Sequence, residues 1–386
     1  MMFQRILSLS QITRNSSSFF FGPRGAGKSF LIRKTLGEDA LIVNLLRVSE
    51  LLRFSNDPSL LEDVIEEAKK KIVVIDEVQK LPSLLDEVHR LIEEKKIRFL
   101  LTGSSARKLK RNQANLLAGR ARVFHLHPIV FKEIPAFELD QYLLWGGLPE
   151  VLTANDKREF LDSYLETYLK EEILAEQAAR SLPHFSRFLK TAALCSGELI
   201  NYSEIASDAQ LPVSTVKNYV EALQDTLVVS VLEPWNESKK RKSIQTAKFY
   251  LFDVGVRNRI LNINEIPKKT DVFGKAFEHF IFMELKAFQS YSKQRLPLFF
   301  WRSTNHHEVD FLIDNQVALE VKSKEKVSER DAKNLFALKE EGTHTTFIVI
   351  SQDPINRKRD GILYLHWREF LTRLWSQVNS DNGLEF

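Results

Sequence analysis

Between an apolar run and an amphipathic run the chain reads SFFFGPRGAGKSFLIRK, in which residues 22–29 fit the pattern GxxxxGK[ST] in full. No other stretch restricts the fold as much, because such a loop works only between a strand and a helix, and a beta-type run at 18–21 precedes it. Gly22, Gly25 and Gly27 let the backbone curl so that N–H groups converge on phosphate, with Pro23, Arg24 and Ala26 completing the cradle. Lys28 then reaches the beta and gamma phosphates, and Ser29 ligates Mg²⁺ as the following helix begins. ATP and Mg²⁺ are the ligands this predicts.

A second stretch, KKIVVIDEVQK, supplies a buried-type strand at 72–75 that ends in Asp76 and Glu77. Acids at the carboxyl end of such a strand lie beside the nucleotide in an open α/β sheet. Asp76 is expected to hold the magnesium through water and Glu77 to polarise the attacking water. A third apolar run, IRFLLTGSS, carries Thr102 and Ser104, which can orient that water or sense the gamma phosphate. Beyond it, LLAGRARVFHLHP offers Arg120 and Arg122 to neutralise transition-state charge. Arg120 is the preferred candidate, and its acting in trans would require a homo-oligomer.

The 386 residues exceed one ordinary core, so two or three domains are expected. A content of 44% hydrophobic and 27% charged residues belongs to a soluble globular chain. The formal charge of +4 permits a nucleic-acid partner without demanding one. The single cysteine, Cys195, cannot form an internal disulfide and favours a reducing compartment. No run approaches the roughly 20 apolar residues that span a bilayer, and the start lacks a signal-peptide core, so a cytoplasmic protein without a membrane partner is expected.

From 131 to 190 the pattern is helical, broken by the turn-like WGGLPE at 145–150. In NYSEIASDAQLPVSTVKNYVEALQDTLVVSVLEPW, Ser203 is a candidate cap for a short helix. The turn at 210–212 precedes a second helix at 214–224, and a strand follows at 227–232. Helix, turn, helix, strand is the outline of a winged helix, whose second helix enters the major groove in DNA binders. Ser214, Thr215, Lys217 and Asn218 are the candidate DNA contacts there. The segment ESKKRKSIQTAK, with consecutive bases Lys239, Lys240, Arg241 and Lys242, reads equally as a linker, a hairpin tip or a phosphate-contacting patch.

The last part combines a strong helix, FGKAFEHFIFMELKAF, with the runs LFFWRS, EVDFLI, VALEVKS and TTFIVI. Strand alternation puts Glu320 and Lys322 on one face, and Asp310 can approach from the preceding strand. Asp310 and Glu320 offer hard oxygens suited to Mg²⁺ or Mn²⁺, and Glu278 can add another from the helix. Lys322 can position water and offset phosphate charge, the set of roles that metal-assisted phosphodiester hydrolysis needs. His306 and His307 point to opposite faces of a strand and do not suit one zinc ion.

GPRGAGKS, VVIDEVQ, LLTGSS, the Ala118–Arg120 triplet AGR, WGGLPE and the terminal EVDF…LEVKS together resemble the prokaryotic AAA-like ATPases that carry a C-terminal DUF4143 domain. The C-terminal part also resembles the PD-(D/E)xK nuclease superfamily. That resemblance implies the helix acid at Glu278, the metal-binding aspartate at Asp310, and the Glu-x-Lys pair at Glu320 and Lys322, with Val309 in place of the superfamily's proline. The implied architecture is a multidomain α/β chain. It runs from a P-loop AAA-like core at 1–130, through a helical lid and winged helix at 131–235 and a basic linker or hairpin at 236–248, to a nuclease-like α/β domain at 249–386. The implied function is an Mg²⁺-dependent ATPase that engages DNA and cuts it at the C-terminal site. The alternative is a nucleotide-switched DNA-binding or protein-interaction scaffold that does not cut.

Overall fold

The computed structural model describes residues 3–14, 16–104, 121–169 and 181–386. They form two compact units, one of Arg5–His127 with Glu221–Val228 and one of Pro128–Val220 with Val229–Phe386 and the first residues. Arg120 and the rest of the AGR triplet lie outside the described residues.

In the first unit five strands make one parallel sheet: β1 (Ser17–Phe21), β2 (Ala40–Asn44), β3 (Ile72–Asp76), β4 (Arg98–Gly103) and β5 (Ala121–His125). Their order is β2-β3-β4-β1-β5, which sets β1 between β4 and β5. Phe19, Phe21, Val73, Ile75, Phe99 and Leu101, at alternate positions along their strands, join one hydrophobic cluster. Phe20, Val74 and Leu100 between them are equally buried. A sheet buried on both faces explains why these strands read as unbroken apolar runs. Because all strands run the same way, the ends of β1, β3 and β4 come together where the phosphate loop begins.

The second unit is built on an eight-stranded mixed sheet. Its strands are β6 (Val229–Pro234), β7 (Lys248–Leu251), β8 (Leu298–Arg302), β9 (Glu308–Ile313), β10 (Val317–Lys322), β11 (Thr346–Ser351), β12 (Arg357–Arg359) and β13 (Ile362–His366). They lie in the order β12-β13-β11-β10-β9-β8-β6-β7. The helix Asp271–Tyr291 is started by Thr270, whose hydroxyl accepts the Phe273 N–H, and it buries Phe273, Phe277, Phe280, Ile281 and Leu285. Phe280 stacks on Phe137, and Trp367 meets both rings. Apolar residues at three- and four-residue steps make this the central helix of the unit.

Helices Tyr202–Ala209 and Val213–Asp225 precede β6, which pairs antiparallel with β7. The cap of the first of these helices is Asn201, whose side chain accepts the Glu204 N–H, rather than Ser203. Asn201 stands one residue before the first helical position, in extended backbone where its oxygen can turn back to an orphan donor. Leu227, expected within a strand, has a left-handed φ of 61° and belongs to the turn before β6. Both β6 and β7 extend the C-terminal sheet, because β6 also pairs with β8 through Glu233 and Phe299.

Candidate functional sites

The phosphate loop turns from β1 into the helix Lys28–Leu36. Gly27 takes the position before that helix at φ 91°, a left-handed conformation that a side chain would strain. Lys28 is buried, and its ammonium donates to the carbonyls of Gly22 at 2.6 Å and Pro23 at 3.2 Å, which holds it over the loop. Arg24 is exposed at the loop tip and Ala26 is fully buried beneath it.

Around Asp76 three elements converge. Ser29 Oγ donates to Asp76 Oδ2 at 3.2 Å, and the Thr102 hydroxyl donates to Asp76 Oδ1. Two hard oxygens from a helix start and a strand end are a donor set that fits Mg²⁺, which completes its shell with water and nucleotide phosphates. When bound there, the ion neutralises phosphate charge. Glu77 follows in left-handed backbone, at φ 61°. Its carboxylate accepts from Gln79 Nε2, which also reaches Ser104 Oγ at 3.4 Å. Gln79 therefore ties the expected water-polarising acid to the end of β4, a role that the motif reading did not assign to it. Its place two residues beyond the acid, in a one-turn helix at Val78–Lys80, is the signal that was available. Arg122 stands exposed on β5.

The C-terminal sheet brings its own charged residues together. On β10, Lys322 Nζ donates to Glu320 Oε1 at 2.7 Å, and Asn334 Nδ2 reaches the same oxygen at 3.3 Å. Glu320 is 2% exposed, and its other oxygen, Oε2, is buried without a partner. The β9–β10 ladder pairs Leu319 with Phe311, which puts Glu320 beside Asp310. Asp310 Oδ2 accepts the backbone N–H of Val321 at 2.7 Å. From the long helix, Glu278 Oε1 accepts the Tyr250 hydroxyl at 2.7 Å. Lys248 on β7 is 3% exposed and pairs with Glu308, whose other oxygen takes Arg302 at 3.2 Å.

Charge and burial oppose each other in this cluster. Burial, with the charge of Asp310 added, pushes Glu320 up to about 8. Burial likewise raises Glu278 to about 7, against the pull of Lys248. Asp310 is raised by burial while Lys322 and Lys248 draw it down. Burial disfavours both ammonium groups, yet both are held above their ordinary range by the carboxylates around them.

This is not the metal centre expected of Glu278, Asp310 and Glu320. Among the described residues no three His, Cys, Asp or Glu side chains stand so as to hold a metal ion. Each acid has an internal partner, an ammonium for Glu320, a backbone amide for Asp310 and a phenol for Glu278, while Glu320 Oε2 has none. Among the described residues no resident Mg²⁺ or Mn²⁺ is therefore assigned to these acids. Lys248, Tyr250 and Glu308 were missed as members of this cluster. A lysine opening the apolar strand KFYL, in alternation with Tyr250, is the same kind of interruption that singled out Asp310. His306 and His307 lie in the β8–β9 turn, where Ser303 N–H donates to the His307 carbonyl at 2.8 Å.

Of the expected DNA contacts, Ser214, Lys217 and Asn218 are exposed on their helix and Thr215 is half-buried. The Lys217 ammonium lies 5.6 Å from the centre of the Tyr202 ring. Lys239, Lys240 and Lys242 are exposed as well. Arg241 differs: it donates to the Ala337 carbonyl at 2.8 Å and pairs with Glu340 at 2.5 Å and Glu341 at 3.4 Å. Glu341 Oε2 also accepts the N–H groups of Lys239 and Lys240, each at 2.7 Å. The basic stretch is thus pinned to the residues just after the helix Lys333–Lys339, and Arg241 is committed to that contact rather than to phosphate.

The WGGLPE turn has a structural explanation. Asp253 Oδ2 accepts the Gly147 N–H at 2.7 Å and Oδ1 the Val256 N–H at 2.9 Å. A Cβ on Gly146, at φ 76°, would come within 2.0 Å of Asp253 Oδ1. Asn258 closes the clasp by donating to the carbonyls of Leu143 and Leu144. Pro149 opens the helix Pro149–Thr153, where its missing N–H costs nothing.

Three family models match the chain: an AAA domain over residues 14–135, the domain of unknown function DUF8612 over 136–266, and the domain of unknown function DUF4143 over 273–370. Uncharacterized proteins of Mycobacterium bovis and Mycobacterium tuberculosis are each 26% identical over 250 residues, 63% of this chain. The match spans 56% of the length of those relatives. An uncharacterized protein of Methanocaldococcus jannaschii is 23% identical over 332 residues, 78% of this chain and 72% of its own. A solved structure of the replication initiator DnaA bound to AMPPCP and single-stranded DNA matches at 13% identity with a TM-score of 0.28, over 54% of this chain and 82% of that one. Similarity that low bears on neither fold nor ligand. No helix among the described residues is long and apolar enough to cross a membrane. The chain carries an N-terminal AAA-type P-loop ATPase domain and a C-terminal DUF4143 domain.

Proposed function

We propose that the protein is an Mg²⁺-dependent ATP hydrolase that works as a nucleotide switch, with a C-terminal part that binds DNA without cutting it. The convergence of Ser29 and Thr102 on Asp76, with Lys28 over the loop and Glu77 one residue on, carries the hydrolytic half. Lys28 would hold the beta and gamma phosphates, Asp76 and Ser29 the ion, and Glu77 the attacking water, with Gln79 positioning Glu77. Arg120 is proposed to supply charge neutralisation, in trans within an oligomer.

The non-cutting half rests on the absence, among the described residues, of three His, Cys, Asp or Glu side chains placed to hold a metal ion. The exposed Ser214, Lys217, Asn218, Lys239, Lys240 and Lys242 support DNA as the partner, since they offer donors and positive charge to phosphate. The middle region is proposed to form a winged helix.

Incubation with linear, circular and single-stranded DNA, with and without ATP, in Mg²⁺ or Mn²⁺, tests this reading. Nucleotide-dependent retention of DNA with intact strands is expected. Strand cleavage by the wild type that disappears in both Asp310→Ala and Lys322→Ala would overturn it, and binding of a protein in place of any DNA would replace the partner.

A further inference from the structure

We infer that Arg5 is a positioning residue of the phosphate loop: its guanidinium holds the Ala26 carbonyl and so keeps the Gly27 N–H turned toward the phosphates of ATP. The inference rests on the ATP-hydrolase reading above and adds to it a residue that lies outside both nucleotide-binding motifs.

The half-buried Arg5 side chain donates through Nη1 to the Ala26 carbonyl at 3.3 Å and through Nη2 to the His127 carbonyl. A guanidinium carries its donors in a planar fork, so one side chain fixes carbonyls from two separate segments in a single geometry. His127 follows β5, and its neighbour Leu126 closes on the other end of the loop. The Leu126 N–H donates to the Phe21 carbonyl at 2.7 Å, and a Cβ on Gly22 would stand 2.6 Å from the Leu126 carbonyl oxygen. The loop is thus held at its first glycine by Leu126 and near its last by Arg5.

The second hold bears on the ligand. In a trans peptide the carbonyl and the N–H of one unit point in opposite directions. With the Ala26 oxygen on Arg5, the Gly27 N–H faces the other way. That N–H has no hydrogen-bond partner among the described residues, which suits a donor kept for phosphate. Gly27, at φ 91°, leaves the peptide before it free to flip once the guanidinium is gone. A flipped peptide presents the Ala26 oxygen to the phosphates in place of a donor.

The test compares the wild type, Arg5→Met and Arg5→Lys in steady-state ATP hydrolysis. ATP binding by equilibrium dialysis and the melting temperature without nucleotide are measured on the same samples. Arg5→Met is expected to raise KM and the Kd for ATP about 10-fold, with kcat within about threefold of the wild type and a similar melting temperature. Arg5→Lys keeps a charged donor but loses the fork, and should fall between the two. A merely structural role would lower the folded fraction and with it kcat, leaving KM unchanged, and that pattern overturns the inference. So does an Arg5→Met that binds ATP as tightly as the wild type. If Arg5→Met does not fold, Arg5→Lys carries the comparison, and an unchanged Kd for ATP overturns the inference. A wild type that binds ATP without hydrolysing it sinks the hydrolase reading alone, and the Kd comparison still decides the inference. A wild type that binds no ATP overturns both.

Discussion

The phosphate loop and the C-terminal cluster are both gatherings of charged side chains at strand ends, yet they are built in opposite ways. In the loop, the eight residues 22–29 supply the cradle from contiguous backbone, and Asp76, Glu77, Gln79, Thr102 and Ser104 join it from elsewhere. The cluster has no local motif of that kind: it draws Glu278 from a helix and Lys248, Asp310 and Glu320 from β7, β9 and β10. In the loop the donors meet backbone carbonyls and the single acid Asp76, whereas in the cluster the acids meet one another's counter-charges. A site assembled for a ligand tolerates loss of a side chain structurally and fails chemically. A site closed on itself fails structurally.

The largest expected effect tests the first half of that contrast. Lys28→Ala removes the ammonium over the loop and is expected to lower ATP hydrolysis by about 1000-fold or more, with a melting temperature close to that of the wild type. Loss of folding with retained turnover per folded molecule would break the contrast at its strongest point.

Gly146→Ala comes next and concerns backbone rather than charge. The position combines φ 76° with ψ −167°, a region open essentially to glycine, and the new Cβ would stand 2.0 Å from Asp253 Oδ1. A loss of more than about 3 kcal/mol is expected, read from chemical denaturation, with the phosphate loop still binding ATP. Breaking the Glu320–Lys322 pair is the matching test of the cluster. Lys322→Ala leaves an almost fully buried carboxyl without its cation, and about 3 kcal/mol of stability should go with it. The double variant with Glu320→Gln should recover most of that loss. If Lys322→Ala is as stable as the wild type, the cluster is not closed on itself.

The two sites were unequally open to reading from sequence, for the same physical reason. A contiguous loop states its own geometry: glycines at 25 and 27, lysine and serine at the helix start, and an apolar strand before them leave little to decide. Three of the five parallel strands, β1, β3 and β4, followed from their unbroken apolar runs, which a sheet covered on both faces requires, whereas nothing in the sequence reading marked out β2 and β5. Alternation within ALEVKS put Glu320 and Lys322 on one face, but whether their charges meet a metal or each other depends on β7 and on the packing of the long helix. Lys248 sits 72 residues before Glu320, and no local pattern ties the two positions. The same limit hid the function of Gly146, whose neighbour Asp253 is distant in sequence. One helix start was misplaced by two residues, Ser203 for Asn201, because two residues of capping type flank Tyr202 in NYS.

The smallest effect sharpens the comparison by asking how dry the C-terminal interior is next to its charged cluster. His279, beside Glu278 on the long helix, is 2% exposed and its Nε2 lies 2.6 Å from the Leu251 carbonyl, which makes it the donor. Nδ1 is buried without a partner. Burial, with the nearby charge of Arg257, lowers its pKa to about 3. The unfolded chain takes up a proton below about 6.5 that the folded chain refuses, so this contribution is complete above that pH and is lost as the pH falls. Between pH 7.5 and 5 the loss should be about 2 kcal/mol, seen as a lower midpoint in denaturant. His279→Gln keeps a donor for Leu251 and cannot ionise, so it should flatten that part of the acid slope. An unchanged slope would mean that the proton enters His279 in the folded state.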